Sequence, residues 1–252
     1  MLIQERFDAI LKLLEQKRVV TVIELTELLN TSESTIRRDL STLAEMGKIH
    51  KVHGGATVIE QSLTKEETVI AKSTKNIEEK NLIASYAASI INDDDFVFLD
   101  AGTTTEVMID YLSPNKAIFI TNGIGHIRKL TQKGIKSYLL GGELKISTEA
   151  MVGSMVVDNL KNYNFTKCFV GANGIHKEYG YTTPDIAEAI IKKEALSRSF
   201  MSCILADSSK FGVITPITFG KLSQACIITD TLEDKKYLDY TVVKEVERWF
   251  IQ

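Results

Sequence analysis

The chain has 252 residues, 44% of them hydrophobic, with 30 Lys or Arg against 33 Asp or Glu, a formal net charge of −3. That is length and apolar content enough for two domains, a small one of about 60 residues and a body of about 190. No apolar run approaches the roughly 18 residues that a membrane span needs, and no basic start precedes an apolar h-region, so a soluble, cytoplasmic protein without membrane contact is expected.

From the front, Phe7, Ile10, Leu11 and Leu14 form an i, i+3, i+4, i+7 stripe, and Val22, Leu25, Leu28 and Leu29 form a shorter one after Thr21, a residue suited to capping a helix. A small turn at Leu29 Asn30 Thr31 leads to a third helix, where Ile36, Leu40, Leu43 and Ala44 repeat at helical spacing. Ser32 is placed to cap that helix, and Ser34 and Thr35 fall in its first turn, where hydroxyls and exposed amides meet phosphates. Arg37 and Arg38 lie about 100° apart around the helix, so one can reach a base edge while its neighbour holds the backbone. Gly47 is the expected helix stop. After it, Lys48 Ile49 His50 Lys51 Val52 His53 alternate as a basic ribbon closed by Gly54 Gly55 Ala56, which reads as a wing lying along phosphates.

Three short helices and a wing are the arrangement of a DNA reader. Bulk charge gives no help, because residues 1–57 hold eight basic and eight acidic side chains. The basic excess begins only at the third helix, where Arg37, Arg38, Lys48 and Lys51 face Asp39 and Glu45, with His50 and His53 nearby. Most arginine pairs on helices are merely solvated, so the reading rests on the order of the elements. The expected DNA-binding set is Ser32, Ser34, Thr35, Arg37, Arg38, Lys48, Lys51 and His53.

The segment from Arg6 through Ala56 resembles the winged helix-turn-helix of the DeoR family of bacterial transcription regulators. The residues that carry the resemblance are Ser32 x x Thr35 Ile36 Arg37 Arg38 Asp39 Leu40 and, later, His53 Gly54 Gly55 Ala56. The resemblance implies double-stranded operator DNA as partner and a DNA-binding domain over residues 1–57.

Residues 58–75, including Gln61 Ser62 Leu63 Thr64 Lys65 Glu66 Glu67, are polar and weakly periodic and are read as a linker to a domain over 76–252. A helix over Ile77 to Ile91 and an Asp93 Asp94 Asp95 turn precede Phe96 Val97 Phe98 Leu99, a buried strand. Apolar runs recur at Ala117 to Ile120, Tyr138 to Leu140, Cys168 to Val170, Cys203 to Leu205 and Cys226 to Ile228, mostly with helices between them, which predicts a mainly parallel α/β sheet. Cys168, Cys203 and Cys226 are odd in number and form no Cys-x-x-Cys pair, so buried free thiols are expected. With four histidines and no ligand spacing, neither a metal nor another cofactor is expected.

Ligands of such sheets bind at the carboxyl ends of the strands. Here Leu99 is followed by Asp100 Ala101 Gly102 Thr103 Thr104 Thr105 and a helix, offering a tight turn, hydroxyls and free amides to a phosphate. Alone, such a turn is modest evidence. Thr121 Asn122 Gly123, Gly141 Gly142 Glu143, Gly171 Ala172 Asn173 Gly174 and the run from Ala206 to Gly212 also follow apolar segments, and polar loops at one sheet edge make a pocket. Lys210 can supply a cation.

Residues 76–230 also resemble the DeoR-family sensor domain, which is related in fold to ribose-5-phosphate isomerase. The resemblance implies a sugar-phosphate effector, with Gly102, Thr103, Thr104 and Thr105 on the phosphate and Asp100, Asn173 and Lys210 near the sugar; Asn122, Gly141 and Gly142 complete the expected set. Isomerase activity is the rival reading. Where the related isomerases carry an acidic pair this chain has Asn173 Gly174, and where they place a catalytic Glu it has Lys192, although Glu188 or Glu194 stands close by. The expected protein is therefore no enzyme. It is a homo-oligomeric repressor of a sugar-utilisation operon released by a phosphorylated sugar, with fructose 1-phosphate first in line because the runs around Arg37, Asn76 and Asp100 look like the fructose-operon branch of the family.

Overall fold

Apolar positions at helical spacing collect on one side of each of the first three helices and meet in one small core. The computed structural model describes residues 3–46, 48–58, 67–114 and 116–247, and the chain divides into two compact units, Met1–Ser62 and Leu63–Gln252. In the first, α1 (Ile3–Lys17), β1 (Val19–Thr21), α2 (Val22–Leu29), α3 (Glu33–Glu45), β2 (Ile49–Val52) and β3 (Gly55–Val58) follow in order. Phe7, Ile10 and Leu14, Leu25 and Leu29, and Ile36, Leu40 and Leu43 fill the core. Leu28, assigned to the buried stripe of α2, is 62% exposed instead. Thr21 caps α2 by accepting from the Glu24 amide at 3.1 Å, and Asn30 ends it in the left-handed conformation. Gly47 and the run from Gln61 to Glu66 lie outside the described residues.

The ribbon after α3 is a hairpin of β2 and β3, and β1 pairs along the other edge of β3, giving the order β1-β3-β2. β1 is three residues long, too short to leave a periodic signal in sequence. The two glycines of the turn do different work. Gly54 adopts φ +81, which favours glycine, whereas Gly55 lets β1 and β3 close together, since a Cβ there would lie 2.1 Å from Val20 O.

In the second unit the elements are α4 (Val69–Ser73), α5 (Ile77–Ser89), β4 (Phe96–Leu99), α6 (Thr103–Asp110), β5 (Ile118–Thr121), α7 (Ile124–Gln132), β6 (Ser137–Leu139), β7 (Glu143–Lys145), β8 (Ala150–Val152), α8 (Ser154–Leu160), β9 (Phe165–Gly171), β10 (Gly174–His176), β11 (Gly180–Thr183), α9 (Ile186–Ser197), β12 (Ser199–Leu205), β13 (Ile217–Gly220), β14 (Cys226–Thr229) and β15 (Val243–Glu245). Within the stretch read as a linker, residues 69–73 thus form a helix.

Seven strands make one parallel sheet in the order β15-β14-β12-β9-β4-β5-β6. Alternate residues feed two cores: Val97 and Leu99 face α5, α6 and α7, while Phe98 faces α8 and α9. Burial on both faces explains why these strands read as unbroken apolar runs. A three-stranded sheet, β10-β11-β13, joins the second core, and β7 and β8 form a hairpin. The thiols are free, Cys168 and Cys203 buried and Cys226 partly so. No described helix is long and apolar enough to cross a membrane.

From β4 the chain runs outward through β5 to β6, then returns to β9 and runs the other way. The strand order therefore reverses between β4 and β9, and a crevice opens at their carboxyl ends.

Gly55→Ala is expected to destabilise the first unit by about 1–3 kcal/mol, because backbone rather than a flexible side chain blocks the new methyl. Amide exchange in β1 and β3 of the intact protein should accelerate by about tenfold per 1.4 kcal/mol lost.

Candidate functional site

At the start of α3 the Ser32 hydroxyl accepts from the Thr35 amide at 3.3 Å and lies 2.9 Å from both the Ser34 and Thr35 hydroxyls, a polar cluster at the positive end of the helix. Arg37 and Arg38 are exposed. Arg37 pairs with Glu33 at 3.1 Å on the open surface, a contact readily exchanged for a phosphate, and Arg38 has no partner among the described residues. Asp39, counted from sequence among the charges facing the arginines, turns the other way. It is buried and takes a two-pronged bond from Arg6, Nε to Oδ2 at 2.7 Å and Nη2 to Oδ1 at 3.1 Å, which fastens α1 to α3. The face that carries the two arginines thereby loses an acid. Lys51 of the wing donates to Ser41 at 2.8 Å, bringing the wing beside the arginine turn, and Lys48 and His53 stand exposed.

In the second unit the turn after β4 is held from below. Asp100 is 3% exposed, and its Oδ2 accepts from Gly171 N at 3.1 Å and from the Lys192 ammonium. Its carboxylate belongs to the frame of the crevice rather than to its lining. Asn122 is likewise spent: Oδ1 accepts from Ala101 N at 3.0 Å and Nδ2 donates to Met151 O at 3.2 Å. Thr105 is fully buried, its hydroxyl within 2.6 Å of Asp100 O, 3.1 Å of Gly102 N and 3.0 Å of His126 Nε2, so it does not face a phosphate as the sequence reading expected.

Gly102 and Thr103 line a small cleft together with Val69, Ala101, Glu106, Gly125, His126, Thr148 and Glu149. Thr104 is buried beside it. Burial raises the Glu106 carboxyl above its usual range, Lys129 opposing and Asp110 and Glu149 reinforcing the shift. Gly141 and Gly142 are not among the lining residues. Gly141 is exposed, and Gly142 is a packing position, where a Cβ would meet Val152 O and Val156 at 2.6 Å.

Two lysines lie within range of each other near α4, the helix whose Val69 lines the cleft. Lys210 ends a 3₁₀ turn after β12, which Asp207 fixes by accepting from Asn76 Nδ2 at 3.0 Å and Ser209 N at 3.1 Å. Lys80, on α5, is buried, and its ammonium donates to Lys72 O. Burial lowers its pKa, Asp207 opposes, and the charges of Lys210 and Lys72 lower it further. Asn173, after β9, accepts from Thr183 Oγ1 at 3.1 Å. Sequence reasoning missed Lys80, although it sits three, four and seven residues before Ile83, Ala84 and Ala87, a lysine in a buried stripe. Of the carboxylates that could have served as a catalytic base, Glu194 pairs with Arg198 at 2.9 Å. Glu188, for which burial alone would raise the pKa, is instead lowered by Lys192, Lys145 and a bond from Thr148.

Two family models match the chain: the DeoR-like helix-turn-helix domain over residues 6–62 and the DeoR C terminal sensor domain over residues 75–231. The chain is 44% identical over 251 residues to the "Uncharacterized HTH-type transcriptional regulator FruR" of Bacillus subtilis, covering 98% of this chain and 100% of that protein. It is 34% identical to the "Lactose phosphotransferase system repressor" of Streptococcus mutans over 92% of this chain and 94% of that one. Among solved structures, ribose 5-phosphate isomerase A of Methanocaldococcus jannaschii aligns over 54% of this chain and 55% of that one, with 16% identity and a TM-score of 0.39.

His126 makes one property of the second unit measurable. Burial pushes its imidazole down to about 3, with Lys129 and Lys192 adding repulsion against the Gly102 backbone bond, while the unfolded residue titrates near 6.5. Below pH 6.5 the unfolded chain binds a proton that the folded chain refuses, so this group makes stability fall as pH falls from 6.5 towards 3. Denaturation midpoints at pH 7 and 4.5 should differ less in His126→Gln than in the parent protein.

Proposed function

The chain belongs to the DeoR family of transcription regulators, and we propose that it is a repressor whose hold on operator DNA is released by a phosphorylated sugar. The observation that carries this reading is the cleft at the switch point of the sheet: Gly102 and Thr103 at a helix start and the carboxylates Glu106 and Glu149 line it together with Val69 of α4, and the Lys72 carbonyl of that same helix accepts from Lys80, which lies within reach of the Lys210 charge. Cations and helix amides suit a phosphate, and carboxylates suit sugar hydroxyls.

In this reading Gly102 and Thr103 receive the phosphate together with Lys80 and Lys210, Thr104 shapes the turn, and Asn173 flanks the sugar. Asp100, Asn122 and Thr105 hold the frame. Fructose 1-phosphate is the first candidate, supported by the fructose-branch look of the sequence and by the higher identity to the FruR regulator than to the lactose repressor. No catalysis is assigned. Asn173 Gly174 stand where the isomerase reading needs acids, Lys192 is bound to Asp100, and Glu188 is held by Lys145 and Thr148.

Two or more chains would present α3 to successive major grooves, with Arg37 or Arg38 on base edges and Lys48, Lys51, His53 and the Ser32, Ser34 and Thr35 hydroxyls on phosphates. Release requires the sugar phosphate to bind the DNA-incompetent arrangement more tightly than the competent one, by the same factor that it weakens operator affinity.

Operator titrations check the first half. Arg38→Ala is expected to cost about 1–3 kcal/mol and relax base preference, and Lys51→Ala to lower the salt slope by about 1. Unchanged affinity in both Arg37→Ala and Arg38→Ala would show that α3 is not the reading helix.

Calorimetry against a panel of phosphorylated sugars checks the second half. Thr103→Asp should keep operator binding and lose the response to sugar phosphate. An acid at the first position of α6 suits the helix dipole, so the fold is retained while the phosphate is repelled.

A further inference from the structure

Three cysteines stand in the large sheet, and the sheet treats them unequally. Cys168 lies on β9, fully buried in the core that faces α8 and α9. Cys203 lies on β12, fully buried in the opposite core, and Cys226, the first residue of β14, packs at the margin of that same core and is partly exposed. β12 and β14 are parallel neighbours whose register sets Cys203 directly opposite Cys226, whereas Cys168 stands opposite Ser202. The two sulfurs are 3.1 Å apart. Neighbouring strands run about 4.8 Å apart, inside the Cα separations of about 4.4–6.8 Å that a disulfide spans, so a bond between these sulfurs requires no change of register.

The pair is also asymmetric. The bond to Cys226, and after it burial, push the Cys203 thiol up; the same bond holds the Cys226 thiol below its usual range, with burial opposing. The thiolate is the nucleophilic form, and here it is favoured on the sulfur that belongs to the more exposed residue.

We propose that Cys203 and Cys226 form an oxidisable dithiol that a hydroperoxide closes into a disulfide across β12 and β14. The Cys226 thiolate attacks one oxygen of hydrogen peroxide and breaks the O–O bond, giving a sulfenic acid and a hydroxide that takes up the proton Cys226 gave away. Cys203 Sγ then attacks Cys226 Sγ, and its proton leaves with the displaced hydroxyl as water. In sum the two thiols lose two electrons and two protons, and the peroxide becomes two waters. Past their carboxyl ends the same two strands are joined again by Ser208, whose amide donates to Asp230 at 2.7 Å in the turn that ends at Lys210. The disulfide adds a covalent tie to that pair of strands. In a reducing compartment such a bond is transient, formed under peroxide and reopened by thiols.

The test uses the full chain, reduced, freed of reductant and exposed to hydrogen peroxide at neutral pH, with free thiols alkylated on denaturation and peptides mapped by mass spectrometry. The parent protein should lose two of its three free thiols and two hydrogen atoms in mass, yield a linked Cys203–Cys226 peptide, keep Cys168 alkylatable, and recover all three thiols in dithiothreitol. Linkage should run about tenfold or more faster than any oxidation of Cys168, whose thiol burial pushes up to about 11. In Cys203→Ala the reaction should stop at a Cys226 sulfenic acid that dimedone labels, and in Cys226→Ala the same exposure should leave Cys203 a thiol. Parent protein in which all three thiols stay free, in which Cys226 reaches sulfinic acid beside a free Cys203, or in which the link runs to Cys168, overturns the proposal.

Discussion

At the end of β4 a carboxylate and an ammonium are buried together, Asp100 and Lys192, with side chains only 4% and 6% exposed. Taking both out of water costs several kcal/mol per ion, and such a pair persists only where further hydrogen bonds complete it. Gly171 N supplies one, and with it β4, β9 and α9 are fixed together at the point where the strand order reverses. The rest of the crevice follows from that anchor. With Asp100 pinned, the backbone turns at Gly102, whose amide is held by Asp100 O at 2.7 Å and by Thr105 Oγ1. Thr105 is thereby drawn inward and Thr103 left on the cleft. Lys192 is consumed in the same act.

The fold was legible where burial is two-sided. Val97, Phe98 and Leu99 alternate between two cores, so each must be apolar whichever way it points, and a run of four such residues announces itself. The small sheet β10-β11-β13 was hidden for the opposite reason. Gly180–Thr183 is buried at all four positions, yet its composition is that of a loop, and its partners are three or four residues long. Nothing local in Gly-Tyr-Thr-Thr says strand; the pairing with Ile217–Gly220 across 37 residues or so does.

The polar turns past the strand ends were legible in sequence, their orientation less so. The cleft opens at one of those turns, but which of three consecutive threonines faces it is decided by partners far along the chain, His126 for Thr105 and, for the neighbouring Asn122, Met151. Asp39 shows the same limit in the first unit: beside two exposed arginines it reads as a surface charge, and only the distant Arg6 reveals it as a buried tie. Lys80 and His126 were missed because each lies on the apolar side of its helix, where a titratable residue among Ile, Leu and Ala is itself the signal.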